Sequence, residues 1–235
     1  MPERPLRLGT FLAPRMRPLY ERAADALDAE LVDGGAFSEL EDGTLDAAFL
    51  CGLPYVGLRG VEALVAPATA GGEPVYWSVV VARAGEEAGA IEQFAGRTLA
   101  VNEPDSHSGS NVVLATLAER GVPVGEFAEV VWTGSHAGSL AAVRDGDADV
   151  AAIDSHLHAA LGSDGLVVVE QLGPSPSQPL ASGPGLGREE RERIRAVLTA
   201  LDPSEPLGLT WVPVDDSAYE PIRAMRAAAD GRGSF

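Results

Sequence analysis

These 235 residues read as an α/β protein of two lobes, and three observations carry that expectation. The first is a device used three times, a short apolar strand that ends on small polar residues and runs straight into a helix. It occurs at 98–102 followed by Asp105-Ser106-His107-Ser108-Gly109, at 130–133 followed by Gly134-Ser135-His136, and at 150–153 followed by Asp154-Ser155-His156. The second is strand followed by helix from the start of the chain, the pattern of a largely parallel sheet covered by helices. The third is an internal echo, Gly43-x-x-Asp46-Ala47-Ala48 against Gly146-x-x-Asp149-Val150-Ala151, as if a helix end, a glycine cap and a buried strand recurred in two lobes. Gly-x-x-Asp ahead of an apolar strand is also ordinary turn chemistry, so duplication and coincidence both stay open.

Residues 7–12 form the first strand, and 18–30 carry Leu19, Ala23, Ala24 and Leu27 at the spacing of a helix with one buried face. Apolar runs at 45–51, 61–66 and 75–82 supply further strands, the last rich in the Val and aromatic residues that suit a pleated sheet. The charged, glycine-containing stretch 83–89 marks a change of composition and opens a second lobe that holds the three junctions. The stretch 173–187, dense in Pro, Ser and Gly, leads out again. Beyond it, 189–201 and 218–229 are helices expected to pack back on the first lobe. The expected division is 1–82 plus 180–235 for one lobe and 83–179 for the other, with two crossovers as the hinges of a cleft.

Charge limits the partners. Seventeen Arg, no Lys and 35 Asp plus Glu give a formal net charge of -18. Nucleic acid and anionic membrane surfaces both call for basic patches, and the sequence has none. No apolar run approaches the roughly 18 residues of a membrane span. Neither a signal-peptide core nor a lipid-anchor Cys precedes Leu6, so the expected location is the cytoplasm as written, and the periplasm or cell exterior if a leader has been removed. The single Cys51 rules out an internal disulfide.

If the three strands are parallel, their helix N-termini gather at one sheet edge, where unpaired N–H groups and positive dipole ends form an anion pocket. Overall acidity does not forbid this. At physiological salt the Debye length is about 8 Å, so scattered surface carboxylates fade while donors in hydrogen-bond contact do not.

Val101-Asn102-Glu103-Pro104-Asp105-Ser106-His107-Ser108-Gly109 resembles the Asn-x-Pro-x-Ser-Thr-Ser-Gly loop of the periplasmic phosphonate, phosphite and phosphate binding proteins that serve ABC transporters. Thr133-Gly134-Ser135-His136, continuing through Gly146-x-x-Asp149 to Ile153-Asp154-Ser155, is similar to that family's next blocks. So are Asp46-Ala47-Ala48-Phe49 with Pro54-Tyr55-Val56, and Val212-Pro213-Val214-Asp215-Asp216 with Tyr219 and Ile222-Arg223-x-Met225. The resemblance implies a type II periplasmic-binding-protein-like fold that closes on a small oxyanion in an interlobe cleft, for ABC import or sensing. It further implies that Ser106, Ser108 and Gly109 offer hydroxyl and backbone donors, that His136 donates a ring N–H, and that Asp154 accepts from a protonated ligand oxygen. Tyr76 falls where the family has an aromatic hydroxyl, with Trp77 and Tyr55 as further lining. His107 stands where the family has Thr and adds a group that titrates near neutrality, which leaves the ligand open among phosphonate-, phosphite- and phosphate-like anions. The implied partners are a small-molecule anion and an ABC permease, with no nucleic acid and no insertion into a membrane.

Blander readings stand beside these. Serines before helices are commonly caps and nothing more, and Tyr55, Tyr76 and Trp77 suit the edge of any α/β core. The four histidines and Asp154 could supply metal ligands, but no spacing matches a closed site, so no metal and no cofactor is expected. The same fold also serves cytoplasmic enzymes such as chorismate dehydratase, which makes a lyase acting on a small carboxylate the alternative. Against it, the sequence shows no nucleophile elbow, P-loop or dinucleotide fingerprint. A binder rather than an enzyme is the expectation.

Overall fold

The computed structural model describes residues 4–69, 71–162, 164–203 and 208–230. The chain divides into two compact units, 1–75 with 176–224 (unit 1) and 76–175 with 225–235 (unit 2).

Unit 1 opens with β1 (Arg7–Thr10), α1 (Arg17–Leu27) and β2 (Glu30–Asp33), and continues with α2 (Ser38–Glu41), β3 (Ala47–Phe49), α3 (Gly52–Tyr55) and β4 (Glu62–Thr69). The helix expected at 18–30 buries Leu19, Ala23, Ala24 and Leu27 as its spacing requires, but it stops at Leu27. Asp28 adopts the left-handed conformation there (φ 52°), and the chain re-enters the sheet two residues later.

The chain then builds unit 2 in one contiguous stretch: β5 (Val75–Arg83), β6 (Thr98–Val101), α4 (Val112–Glu119), β7 (Glu129–Trp132), α5 (His136–Asp145), β8 (Val150–Asp154), α6 (Ser155–Leu161) and β9 (Leu166–Pro176). It returns through β10 (Leu180–Ser182), α7 (Arg188–Thr199), β11 (Leu209–Pro213) and α8 (Glu220–Asp230).

Each unit has its own sheet. Strand order is β11-β4-β10-β3-β1-β2 in unit 1 and β7-β6-β8-β5-β9 in unit 2. In unit 2, β6 runs parallel to both β7 and β8, so the three strand-to-helix junctions do leave from one edge. Above that sheet, Phe94, Leu99, Val101, Val113 and Leu117 pack with Val80 and Ile91 into a buried core. Unit 1 has a separate core around Leu40, Leu45, Leu50, Tyr55 and Tyr219.

Three expectations need adjustment. The strand at 75–82 was grouped with the first lobe, yet β5 pairs antiparallel with β8, Ser78 opposite Asp154 through Ala82 opposite Val150, and so sits inside the second sheet. The composition change at 83–89 marks the exit from that strand, and the chain passes between units before it. The stretch 173–187, expected as a way out, contains the end of β9 and all of β10. Leu180, Ala181 and Ser182 are buried because β10 is flanked by β3 on one side and β4 on the other. Finally, α8 begins in unit 1, where Ile222 is buried, while its residues from Met225 onward group with unit 2, where Met225 packs on the core.

The sequence echo is matched by a shared hydrogen-bond device. In unit 1, Asp46 Oδ2 accepts from the Arg7 N–H at 2.8 Å while both carboxylate oxygens hold Arg4, at 2.6 and 2.9 Å. In unit 2, Asp149 Oδ2 accepts from the Thr98 N–H at 3.0 Å and Oδ1 from Arg83 at 2.8 Å. Each carboxylate therefore anchors the first residue of the neighbouring parallel strand, and each sits three residues after a glycine in the left-handed region, Gly43 (φ 81°) or Gly146 (φ 91°).

Candidate functional site

The first junction follows β6 and is a turn of π-helix, His107–Asn111, capped by Ser106. Its bonds run from residue i to i−5: Asn111 N–H donates to the Ser106 carbonyl and Val112 N–H to that of His107. A π-turn therefore leaves one more opening N–H without an internal acceptor than an α-helix does. Ser106 Oγ takes one of these, accepting from Gly109 N–H at 3.2 Å. Gly109 is required by close approach, since a Cβ there would lie 2.6 Å from Asn102 Cβ and 3.0 Å from His136 Cε1.

The second junction follows β7. Gly134 turns the chain in the left-handed region (φ 73°), and Ser135 caps α5 by accepting from Gly138 N–H at 3.0 Å. His136 is the first residue of that helix, and its Nε2 lies 3.3 Å from Ser108 Oγ. Burial pushes the His136 imidazole below its ordinary value, against the Asp154 charge and the Ala152 carbonyl, which favour the protonated ring. His136 Nδ1 is buried.

Asp154 ends β8 and caps α6, its Oδ1 accepting from His156 N–H at 2.8 Å and Leu157 N–H at 3.2 Å. A carboxylate oxygen is an acceptor, which suits it as a cap.

Of the residues picked out in the sequence, Ser106, His107, Ser108, Gly109, His136 and Asp154 thus fall on adjacent junctions of unit 2. Tyr76 and Trp77 lie on β5 of the same unit. Tyr76 is buried, with its ring 6.3 Å from that of His156, and Trp77 is 36% exposed, its backbone N–H donating to Ser155 Oγ at 3.1 Å. Tyr55 belongs to the core of unit 1. Its hydroxyl donates to Asp216 at 2.7 Å and accepts from Ala63 N–H, and its ring stacks edge-on against Tyr219 at 4.7 Å. Burial and the Asp216 charge push its ionisation upward, so it stays a neutral phenol.

His107 turns inward. Its Nδ1 accepts from Asn111 Nδ2 at 3.1 Å, which leaves the proton on Nε2 to donate to Ser175 Oγ at 3.2 Å. Burial lowers its pKa to about 4, so it is neutral at physiological pH.

Sequence reasoning did not single out Asn102 or Ser175. Asn102 is the hub of the first two junctions. Its N–H donates to the Gly109 carbonyl, its carbonyl accepts from Gly134 N–H, and its Nδ2 donates to Ser106 Oγ at 3.1 Å. The available signal was its place in the loop motif. Ser175 is 68 residues from His107, and nothing in the sequence links the two. Among the described residues no group of three or more His, Cys, Asp or Glu is placed to hold a metal ion, and no helix is long and apolar enough to cross a membrane.

Comparison with known proteins settles the relationship. Residues 21–224 match the family described as ABC transporter, phosphonate, periplasmic substrate-binding protein. The chain belongs to this family. Its members are solute-binding components of ABC transporters, so the protein is a substrate-binding protein and not an enzyme, and the lyase alternative finds no support. Solved structures show the type II fold. PhnD1 from Prochlorococcus marinus, in complex with methylphosphonate, is similar with a TM-score of 0.79 at 15% identity, over 96% of this chain and 98% of that one. A binding protein component of an ABC phosphonate transporter from Pseudomonas aeruginosa gives 0.75 at 18%, over 95% and 86%. The periplasmic aliphatic sulphonate binding protein SsuA from Escherichia coli gives 0.60 at 17%, over 98% and 88%.

Proposed function

We propose that the protein captures a small phosphonate-like oxyanion on unit 2, with Ser106, Ser108, His136 and the opening N–H groups of their turns as donors, and delivers it to an ABC permease. The observation that carries this reading is the Ser108–His136 pair. A serine hydroxyl and an imidazole from different junctions meet at 3.3 Å, a long contact that a ligand oxygen can replace with better bonds. Tyr76 on β5 adds a phenol, and Asp154 accepts a hydrogen bond from the protonated oxygen of a singly ionised phosphonate. In this arrangement His107 supports the turn through Ser175 and Asn111. The methylphosphonate bound by the Prochlorococcus marinus protein and the sulphonates named for the Escherichia coli protein share the tetrahedral oxyanion head group these donors suit.

The test is a thermal-shift and calorimetric screen with methylphosphonate, phosphite, phosphate, aliphatic sulphonates and small carboxylates, since a specific ligand stabilises by RT ln(1 + [L]/Kd). A phosphonate-class ligand is expected to bind one to one and unchanged, and Ser106→Ala and His136→Ala each to weaken it by about 1 to 3 kcal/mol. Absence of binding to any oxyanion, or full affinity in both variants, overturns the proposal.

A further inference from the structure

We infer that Asn102 is a specificity-determining positioning residue: by filling the second acceptor site of the Ser106 hydroxyl it leaves that group only a proton to offer, and so presets Ser106 to bind a deprotonated ligand oxygen. This deepens the reading above and rests on it.

A serine hydroxyl has one donor and two acceptor sites. Ser106 Oγ accepts from the Gly109 N–H at 3.2 Å and from Asn102 Nδ2 at 3.1 Å, which uses both lone pairs. Ser106 and Asn102 are both buried, so water does not compete freely for these sites. Hydrogen bonds accepted by an oxygen also polarise its O–H and strengthen it as a donor.

The Asn102 backbone fixes the geometry independently of the side chain. Its N–H is held by the Gly109 carbonyl and its carbonyl holds the Gly134 N–H, tying together the turns that carry Ser106, Ser108 and His136. The side-chain amide can therefore be altered while these bonds remain. Asn102 Oδ1 is buried without a hydrogen-bond partner among the described residues, so the amide is oriented by the bond its nitrogen makes to Ser106. An aspartate at this position has the same shape and the opposite role. Its carboxylate accepts the hydrogen bond of the Ser106 hydroxyl, which is then no longer offered to the ligand.

The experiment measures methylphosphonate affinity by calorimetry for Asn102→Asp and Asn102→Ala, each with Ser106 intact and in a Ser106→Ala background, with ligand-free melting to confirm folding. With Ser106 present, Asn102→Ala is expected to weaken binding about tenfold, the loss of one well-set hydrogen bond. Asn102→Asp is expected to weaken it about a hundredfold, because a donor is lost and a like charge is added. Without Ser106, Asn102→Ala is expected to cost nothing further, and the Asp loss to shrink about tenfold. A purely structural role for Asn102 predicts equal losses in both backgrounds, and that result overturns the inference while leaving the proposed ligand class intact. If Asn102→Ala does not fold, the two Asp arms decide alone. A parent protein that binds none of the screened oxyanions overturns the ligand class itself, and the inference with it.

Discussion

In unit 1 the run of strands β2-β1-β3-β10-β4 corresponds one for one to β7-β6-β8-β5-β9 in unit 2. In both, a central strand runs parallel to two neighbours, and the next strand inward is antiparallel. In both, a carboxylate three residues past a glycine anchors the central strand at its start. The two units part company where the strands end. The helical segments after β1, β2 and β3 in unit 1 have no side-chain cap hydrogen bond, whereas those after β6, β7 and β8 are capped by Ser106, Ser135 and Asp154. A shared scaffold thus carries unshared chemistry, and the polar caps, not the strand order, set unit 2 apart.

The sharpest way to test that asymmetry is at crowded glycines. Gly109→Ala drives a Cβ against the Asn102 Cβ, and this should cost about 3 kcal/mol in urea unfolding and remove ligand binding. Gly9→Ala in β1 meets the far end of the buried Leu45 side chain, at 2.5 Å, rather than another Cβ, and should cost about 1 kcal/mol. Equal losses would break the contrast.

Acid should expose the same difference, because all four histidines lie in unit 2. For His107 the folded pKa, about 4, lies below the unfolded value of 6.5, so the unfolded chain takes up the proton first. Its contribution is unchanged above pH 6.5 and falls away as the pH drops toward 4. Between pH 7 and pH 5 this amounts to about 2 kcal/mol. Chemical denaturation of parent and His107→Asn at both pH values should show the acid-induced loss smaller in the variant by that amount, and an identical loss would mean the ring is not held neutral.

The shared feature can be tested as well. Asp46→Ala and Asp149→Ala should each cost about 2 kcal/mol, since each removes a charge-assisted bond to a strand N–H and an Arg partner. A large effect in one and none in the other would make the correspondence superficial. The smallest effect is expected for Ser135→Ala, about 1 kcal/mol from the lost cap of α5, read by thermal melting.

Strands and caps were legible in the sequence wherever local chemistry decided them. Val150–Asp154 is an apolar run closed by a capping residue, and it forms as written. β2 was hidden because Glu30-Leu31-Val32-Asp33 is a short edge strand continuing a helical pattern. β10 was hidden by its Pro- and Gly-rich flanks, and its burial comes from strands far away in the chain. The site divides in the same way. Ser106, Ser135 and Asp154 precede helices and could be picked out by type. The inward turn of His107 depends on Ser175, and the control of the Ser106 hydroxyl on Asn102 depends on folded geometry, so neither is written in local pattern.

The central antiparallel strands have a consequence for the order in which the molecule can be made. Every strand of the second sheet is translated between residues 75 and 176, so that sheet is fully specified while the ribosome still has to synthesise β10 and β11. The first sheet, begun earlier, must wait with a gap between β3 and β4 until Leu180–Ser182 arrives to fill it. The sheet whose strands emerge first is therefore the last to be completed.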